Sequence, residues 1–187
     1  MGFFIFLALI GVVVIWVVAK YNSLITFRNQ VANGWKQIDV QLKRRHDLIP
    51  NLINTVKGYM EFEQDTLRQV IEARNAAVGA KGVADSAVKE GELSAVLTRL
   101  FALMENYPTL KANENVKQLQ EELTSTENKI SFARQFYNDI ATKFIIAQQV
   151  FPGNIIASMF KFQPADLFEI EKKEEREVPV VNLSMRK

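Results

Sequence analysis

The chain of 187 residues contains no cysteine and one histidine, His46. Without cysteine there is no disulfide framework, thiolate nucleophile, iron–sulfur cluster or cysteine-ligated zinc. A single histidine removes the paired-imidazole metal sites of di-iron bundles and zinc-protease helices. No Gly-x-Ser-x-Gly elbow presents a hydroxyl nucleophile, and no glycine-rich cradle holds a phosphate. These absences close most enzyme classes, and neither a cofactor nor a metal ion is expected. Charge is scarce in net terms, at +2, but unevenly placed. Between Lys20 and Arg45 six cations face one acid, Asp39, while residues 46–187 carry a net −3. With no basic face spread over the whole domain, nucleic acid is not an expected partner.

What the sequence does have is a long uncharged start. Seventeen of residues 1–19 are apolar, interrupted only by Gly2 and Gly11. As a helix this run is about 28 Å long, close to the ~30 Å hydrocarbon thickness of a bilayer. Trp16 and Tyr21 sit where an interfacial aromatic belt is expected. A cleaved signal peptide competes, since Val17-Val18-Ala19 passes as a cleavage site. The missing basic n-region, the length of the run and the helical periodicity continuing through Lys20 favour a retained anchor. Residues 1–20 are therefore read as a transmembrane anchor in contact with lipid through residues 1–19. By the positive-inside rule the six Lys/Arg that follow keep the C-terminal domain in the cytoplasm, on the bacterial inner membrane.

Beyond the anchor the pattern is helical. Leu24, Val31, Ile38, Leu52 and Tyr59 keep a seven-residue repeat, and Trp35, Leu42, Ile49 and Val56 form a second row. Pro50 lacks the amide that would bond back to His46, and Asp47 is able to cap a new helix with Pro50 in its first turn. Arg45–Pro50 is read as a break, with a hairpin favoured over a kink, and a second helix is expected from about Asp47 to Val78. Gly79–Gly91 reads as a loop. Glu92–Asn106 reads as a short helix stopped by Pro108. In the last helix Val116, Leu123, Ile130, Tyr137, Phe144 and Phe151 repeat at seven, accompanied by Leu119, Thr126, Ala133, Ile140 and Ala147. Strand alternation competes only at Val178-Pro179-Val180-Val181, which is too short to found a sheet. The fold class is all-α: an N-terminal transmembrane helix, then an antiparallel bundle of about four long helices over residues 21–151. Residues 152–187 form a C-terminal segment packing on the bundle or the membrane.

Few polar residues call for special roles. His46 and Asp47 are adjacent on a helix and do not face each other, so they form no base–orienter pair. Glu61, Glu63 and Asp65 are scattered around the helix axis and fail the calcium-loop pattern. Arg45 falls in an apolar row, where it needs a carboxylate or carbonyl partner. Glu127 and Arg134, seven apart beside the core rows, read as register-fixing polar pairing with a neighbouring helix. The apolar strip Ile155-Ile156-Ala157-Ser158-Met159-Phe160-Lys161-Phe162 is either a satellite core strip or an exposed patch for partners or lipid, with packing favoured. With a hairpin at Arg45–Pro50, the alternating helices return this strip to the membrane-proximal side of the bundle. Arg45, Asp47, Pro50, Glu127, Arg134, Ile155, Ile156, Met159 and Phe160 are thus the candidate structural or interaction residues, and no catalytic residue is expected.

The stretches Tyr21-Asn22-Ser23-Leu24 and Val31 to Leu52, with Arg45-His46-Asp47-Leu48-Ile49-Pro50-Asn51-Leu52 the most specific part, resemble the bacterial LemA family. Val56-Lys57-Gly58-Tyr59, Ala73-Arg74, Tyr107 to Ala112, Glu127 to Ile130, Ala133-Arg134, Tyr137-Asn138 and Phe151 to Ala157 extend the likeness over about residues 20–183. Phe136 departs from the family pattern, where a small or polar residue is commoner, and so does the Asn182-Leu183 ending. The resemblance implies a single-pass membrane protein with a long-helix bundle, no established catalytic activity, and kinship with magnetosome-membrane proteins. It transfers no catalytic residue. The expected function is a membrane-anchored, non-enzymatic helical scaffold that self-associates, as a homo-oligomer, and organises membrane or partner proteins. The alternative is an accessory subunit docking on a membrane enzyme such as a protease.

Overall fold

The computed structural model describes residues 1–169. Its first element, α1 (Gly2–Val56), is a single helix of 55 residues, about 82 Å long at 1.5 Å per residue. The apolar run and the first bundle helix are therefore one rigid rod. Residues 1–10 are all exposed within the chain. The helix passes straight through Pro50, so the break expected at Arg45–Pro50 is not there.

The reason lies in the backbone ledger. Pro50 has no N–H, which orphans the carbonyl of His46, and such a gap inside a helix costs about 3 kcal/mol or more. Arg74, on the next helix, donates its Nε–H to that carbonyl at 3.2 Å. Tertiary contact supplies the bond the proline removes, and the helix continues for nearly two more turns.

The chain reverses instead beyond Val56. A 3-10 turn at Glu61–Glu63 leads into α2 (Gln64–Val78), which folds back beside the far end of α1. After Gly79 the chain turns again into α3 (Gly82–Met104). The loop expected at Gly79–Gly91 is thus helical from Gly82 onward. Gly82 takes a φ of +80°, which suits glycine. The Asp85 carboxylate accepts the Lys81 backbone N–H at 2.8 Å, closing the first turn. A short α4 (Pro108–Lys111) carries Pro108 in its first turn. Asn113 then caps α5 (Glu114–Gln149), its side chain accepting from the amides of Asn115 and Val116. The last helix is α6 (Gly153–Met159). No strand occurs among the described residues, and the Val178–Val181 stretch lies outside them.

Antiparallel packing of α1 on α5 forms the spine, and α2–α3 cover its far half. The seven-residue rows of α5 are the buried ones: Val116, Leu123, Ile130, Tyr137 and Phe144 all lie in the core, while Phe151 falls beyond the helix and is exposed. On α1, Leu24, Ile38, Leu42, Ile49, Leu52 and Val56 are buried. Trp35 is half-buried against Tyr137, and Tyr59, past the end of α1, is exposed. After α6 an extended stretch runs back along the α1–α5 pair. Phe168 anchors it, exchanging two hydrogen bonds with the Asn138 amide at 2.8 and 3.1 Å. Tyr137 adds a third, its hydroxyl donating to the Asp166 carbonyl at 2.7 Å.

Candidate functional site

A knot of charge sits where α1, α3 and α5 meet. Arg45 and Glu90 are 2% and 1% exposed, a burial that charged side chains tolerate only when paired. Arg45 sends Nη1 to Glu90 Oε2 at 3.2 Å and to Glu127 Oε2 at 3.0 Å. Its Nη2 donates to the Ser94 hydroxyl at 2.7 Å. The other oxygen of Glu90 lies 2.6 Å from His46 Nε2. A carboxylate oxygen only accepts, so in this contact the imidazole donates its N–H.

The spacing of the sequence builds this arrangement. Arg45 stands in the buried stripe of α1 between Leu42 and Ile49, and His46 follows it on the α3 side. Glu90 and Ser94 are one turn apart on α3, so one guanidinium reaches both. Glu127 neighbours Thr126 on α5 and keeps an exposed edge, its side chain being 42% exposed.

Arg134 stands two turns along α5 from Glu127. Its guanidinium lies over the Phe168 ring, 4.5 Å from the centroid. Its Nε and Nη2 are buried without a hydrogen-bond partner among the described residues. Burial pushes the Arg134 pKa below its ordinary value, opposed by Glu127 and reinforced by the like charge of Arg45.

The other residues singled out from the sequence lie elsewhere. Asp47 is on the exposed side of α1, paired with Lys43 at 2.8 Å, and the Lys43 hydrogen bond holds its carboxyl below the usual range. It caps nothing, because no helix starts there. Pro50 is exposed, and the His46 carbonyl it orphans is taken by Arg74. Ile155, Ile156, Met159 and Phe160 gather at the opposite end of the bundle. Ile156 is buried, Ile155 and Met159 are exposed, and Phe160 lies half-exposed against the Tyr21 ring.

Glu90, Ser94 and Arg74 complete the cluster and the Pro50 repair, and sequence reasoning missed all three. Glu90 lay in the stretch taken for a loop. Its signal was periodic: it stands three residues before Leu93 and seven before Leu97, on the apolar stripe of α3.

Chemically the cluster holds two full cations and two carboxylates beside one imidazole. Ser94 accepts a bond from a guanidinium, which draws density from its oxygen and does not activate it as a nucleophile. Among the described residues no group of three or more His, Cys, Asp or Glu is placed to hold a metal ion. One guanidinium thus joins side chains of three helices, α1, α3 and α5.

Comparison with known proteins places the chain in a family. The LemA family profile matches residues 34–183. Protein LemA of Metamycoplasma hominis is 26% identical over 179 residues, covering 95% of this chain and 82% of the relative. Magnetosome protein MamQ 2 of Paramagnetospirillum magneticum is 23% identical, covering 87% of this chain and 68% of the relative. Magnetosome protein MamQ of Magnetospirillum gryphiswaldense is 21% identical with the same coverage. The matched span contains Arg45, His46, Glu90, Ser94, Glu127 and Arg134. With a rod that begins as an apolar helix long enough to cross a bilayer, the chain is a membrane-associated helical protein and a member of the LemA family.

Proposed function

We propose that the protein is a non-enzymatic scaffold of the bacterial inner membrane that self-associates through the outer face of its α1–α5 pair. One observation carries the reading: Val40, Phe132 and Phe136 are all exposed on that face, lining a groove of about 610 Å³ between Lys36 and Lys129. Exposed aromatics clustered in this way mark a contact surface.

The unbroken α1 supports the reading further. It holds Val40 about 30 Å beyond Lys20, at the same height in every copy whose span shares the bilayer. A two-fold axis along the membrane normal therefore brings identical faces together. The buried ionic cluster keeps the pair in register, so the face is stiff. The one-sided set of six cations after the span supports a cytoplasmic bundle by the positive-inside rule. MamQ relatives are magnetosome proteins by name, in keeping with a role in organising membrane.

Light scattering of the full chain in detergent tests the proposal. A particle containing several copies of the 21.3 kDa polypeptide is expected, reduced to one copy by Phe132→Ser with Phe136→Ser. A monomeric parent protein contradicts it and favours an accessory subunit docking on a membrane enzyme.

A further inference from the structure

We infer that the outward face of α6 is a second membrane contact, lying in the lipid interface beside the span. The inference needs α1 in a bilayer but does not depend on self-association.

Its inner face fixes its height. Ile156 and Ala157 are buried with Leu24 and Phe144, and Trp16, Val17 and Tyr21 of α1 pack against them. Phe160 lies 4.6 Å from the Tyr21 ring, and Phe162 lies 5.9 Å from it. Trp16 and Val17 belong to the uncharged run, four and three residues before Lys20. At 1.5 Å per residue they stand about 5–6 Å inside its boundary. An element touching them from the side is at the depth where interfacial helices lie, about 5–10 Å into the headgroup–acyl boundary.

α5 delivers α6 there without slack. A Cβ on Gly153 would stand 2.5 Å from the Ala147 carbonyl oxygen, so only glycine lets the chain turn this close to the last turns of α5.

The outer face has the composition of a lipid contact. Ile155 and Met159, one turn apart on α6, are 50% and 65% exposed, and Phe151 just before the helix is 79% exposed. No charged residue occurs from Val150 to Phe160. In water this patch is a liability; beside a span it continues the apolar surface that lipid already covers. Cations border it at headgroup level. Lys20 and Lys161 are exposed, and the Arg28 guanidinium is 5.8 Å from the Phe162 ring centroid. Lys161 takes a φ of +53°, and the chain beyond it runs back along the bundle. With two contacts in place of one, the bundle cannot swivel freely about its anchor.

The cysteine-free chain makes the test direct. Met159→Cys carries a spin label in the full chain, reconstituted in nanodiscs of phosphatidylcholine with phosphatidylglycerol. Power saturation with oxygen and with a water-soluble nickel chelate is the readout. Oxygen accessibility several-fold above nickel is expected, matching Val13→Cys in the span and opposite to Phe62→Cys at the far end. Nickel accessibility like that of Phe62→Cys overturns the inference. So does protection from both reagents, which signifies cover by protein. Ile155→Cys repeats the measurement on the same face, with helical circular dichroism as the check on folding of each variant. Monomeric particles that keep the lipid signature leave this inference standing while removing self-association.

Discussion

The two ends of the bundle are built to different rules. The far end, where α1, α2, α3 and α5 converge, buries fifteen residues in one cluster, nearly all aliphatic or methionine. The near end has only α1, α5 and the short α6, and buries four: Leu24, Phe144, Ile156 and Ala157. It makes up the difference with half-buried aromatics and leaves an apolar face outward. A domain in water has to close its core on every side. The near end need not, because the bilayer supplies the wall that α2 and α3 supply at the far end. Between them lie a middle cluster of seven buried residues, among them Ile38, Leu42, Ile130 and Tyr137, and the ionic cluster beside it.

Removing a member of that cluster should do the most damage. Glu90→Ala leaves the buried Arg45 guanidinium with the half-exposed Glu127 as its remaining carboxylate and takes the acceptor from His46 Nε2, and is expected to cost about 3–5 kcal/mol in urea unfolding of the micelle-bound protein. Arg45→Met combined with Glu90→Leu should recover most of that loss, as apolar replacements of buried ion pairs do. A double variant as unstable as Glu90→Ala would give the cluster a role beyond register.

At the far end Leu100→Ala empties a fully enclosed site and is expected to lose about 2–5 kcal/mol in the same assay. Arg74→Met should cost about 1–3 kcal/mol, the penalty of leaving the His46 carbonyl unpaired. Hydrogen exchange should accelerate around Pro50 before it does at the far tip. Asn113→Ala, which uncaps α5, is expected to cost about 1 kcal/mol. Met159→Ser at the near end should change micelle stability by less than about 0.5 kcal/mol, since the side chain has no protein wall to leave. A loss there as large as at Leu100 would erase the contrast between the ends.

Much of this was legible in the order of residues. The span, the all-α class and the seven-residue rows of α5 follow from apolar spacing alone, and those rows are the buried ones. The need of Arg45 for a carboxylate or carbonyl partner followed from its place in an apolar row, and the partners are the carboxylates of Glu90 and Glu127. What was not legible came from distant contacts. Pro50 reads as a stop until Arg74, 24 residues on, accepts the job of its missing amide. Gly79–Gly91 reads as a loop because its small residues mimic linker composition, whereas Ala87 and Glu90 are small or polar to let α3 close on α1. The strip from Ile155 was expected near the membrane on the strength of a hairpin at Arg45–Pro50. That premise fails; the reversal after Val56 is what returns the chain to Tyr21. The site residues split into two places because periodicity assigns a face but not a height along an 82 Å rod.

The central claim is that span and bundle share one unbroken helix through Pro50. Spin labels at Ser23→Cys and Asn54→Cys, both exposed positions on α1, measure it by dipolar distance in nanodiscs. Thirty-one residues of continuous helix predict about 46 Å between the backbone positions. A distance near 26 Å, as a reversal at Arg45–Pro50 would give by the same rise per residue, would contradict the account.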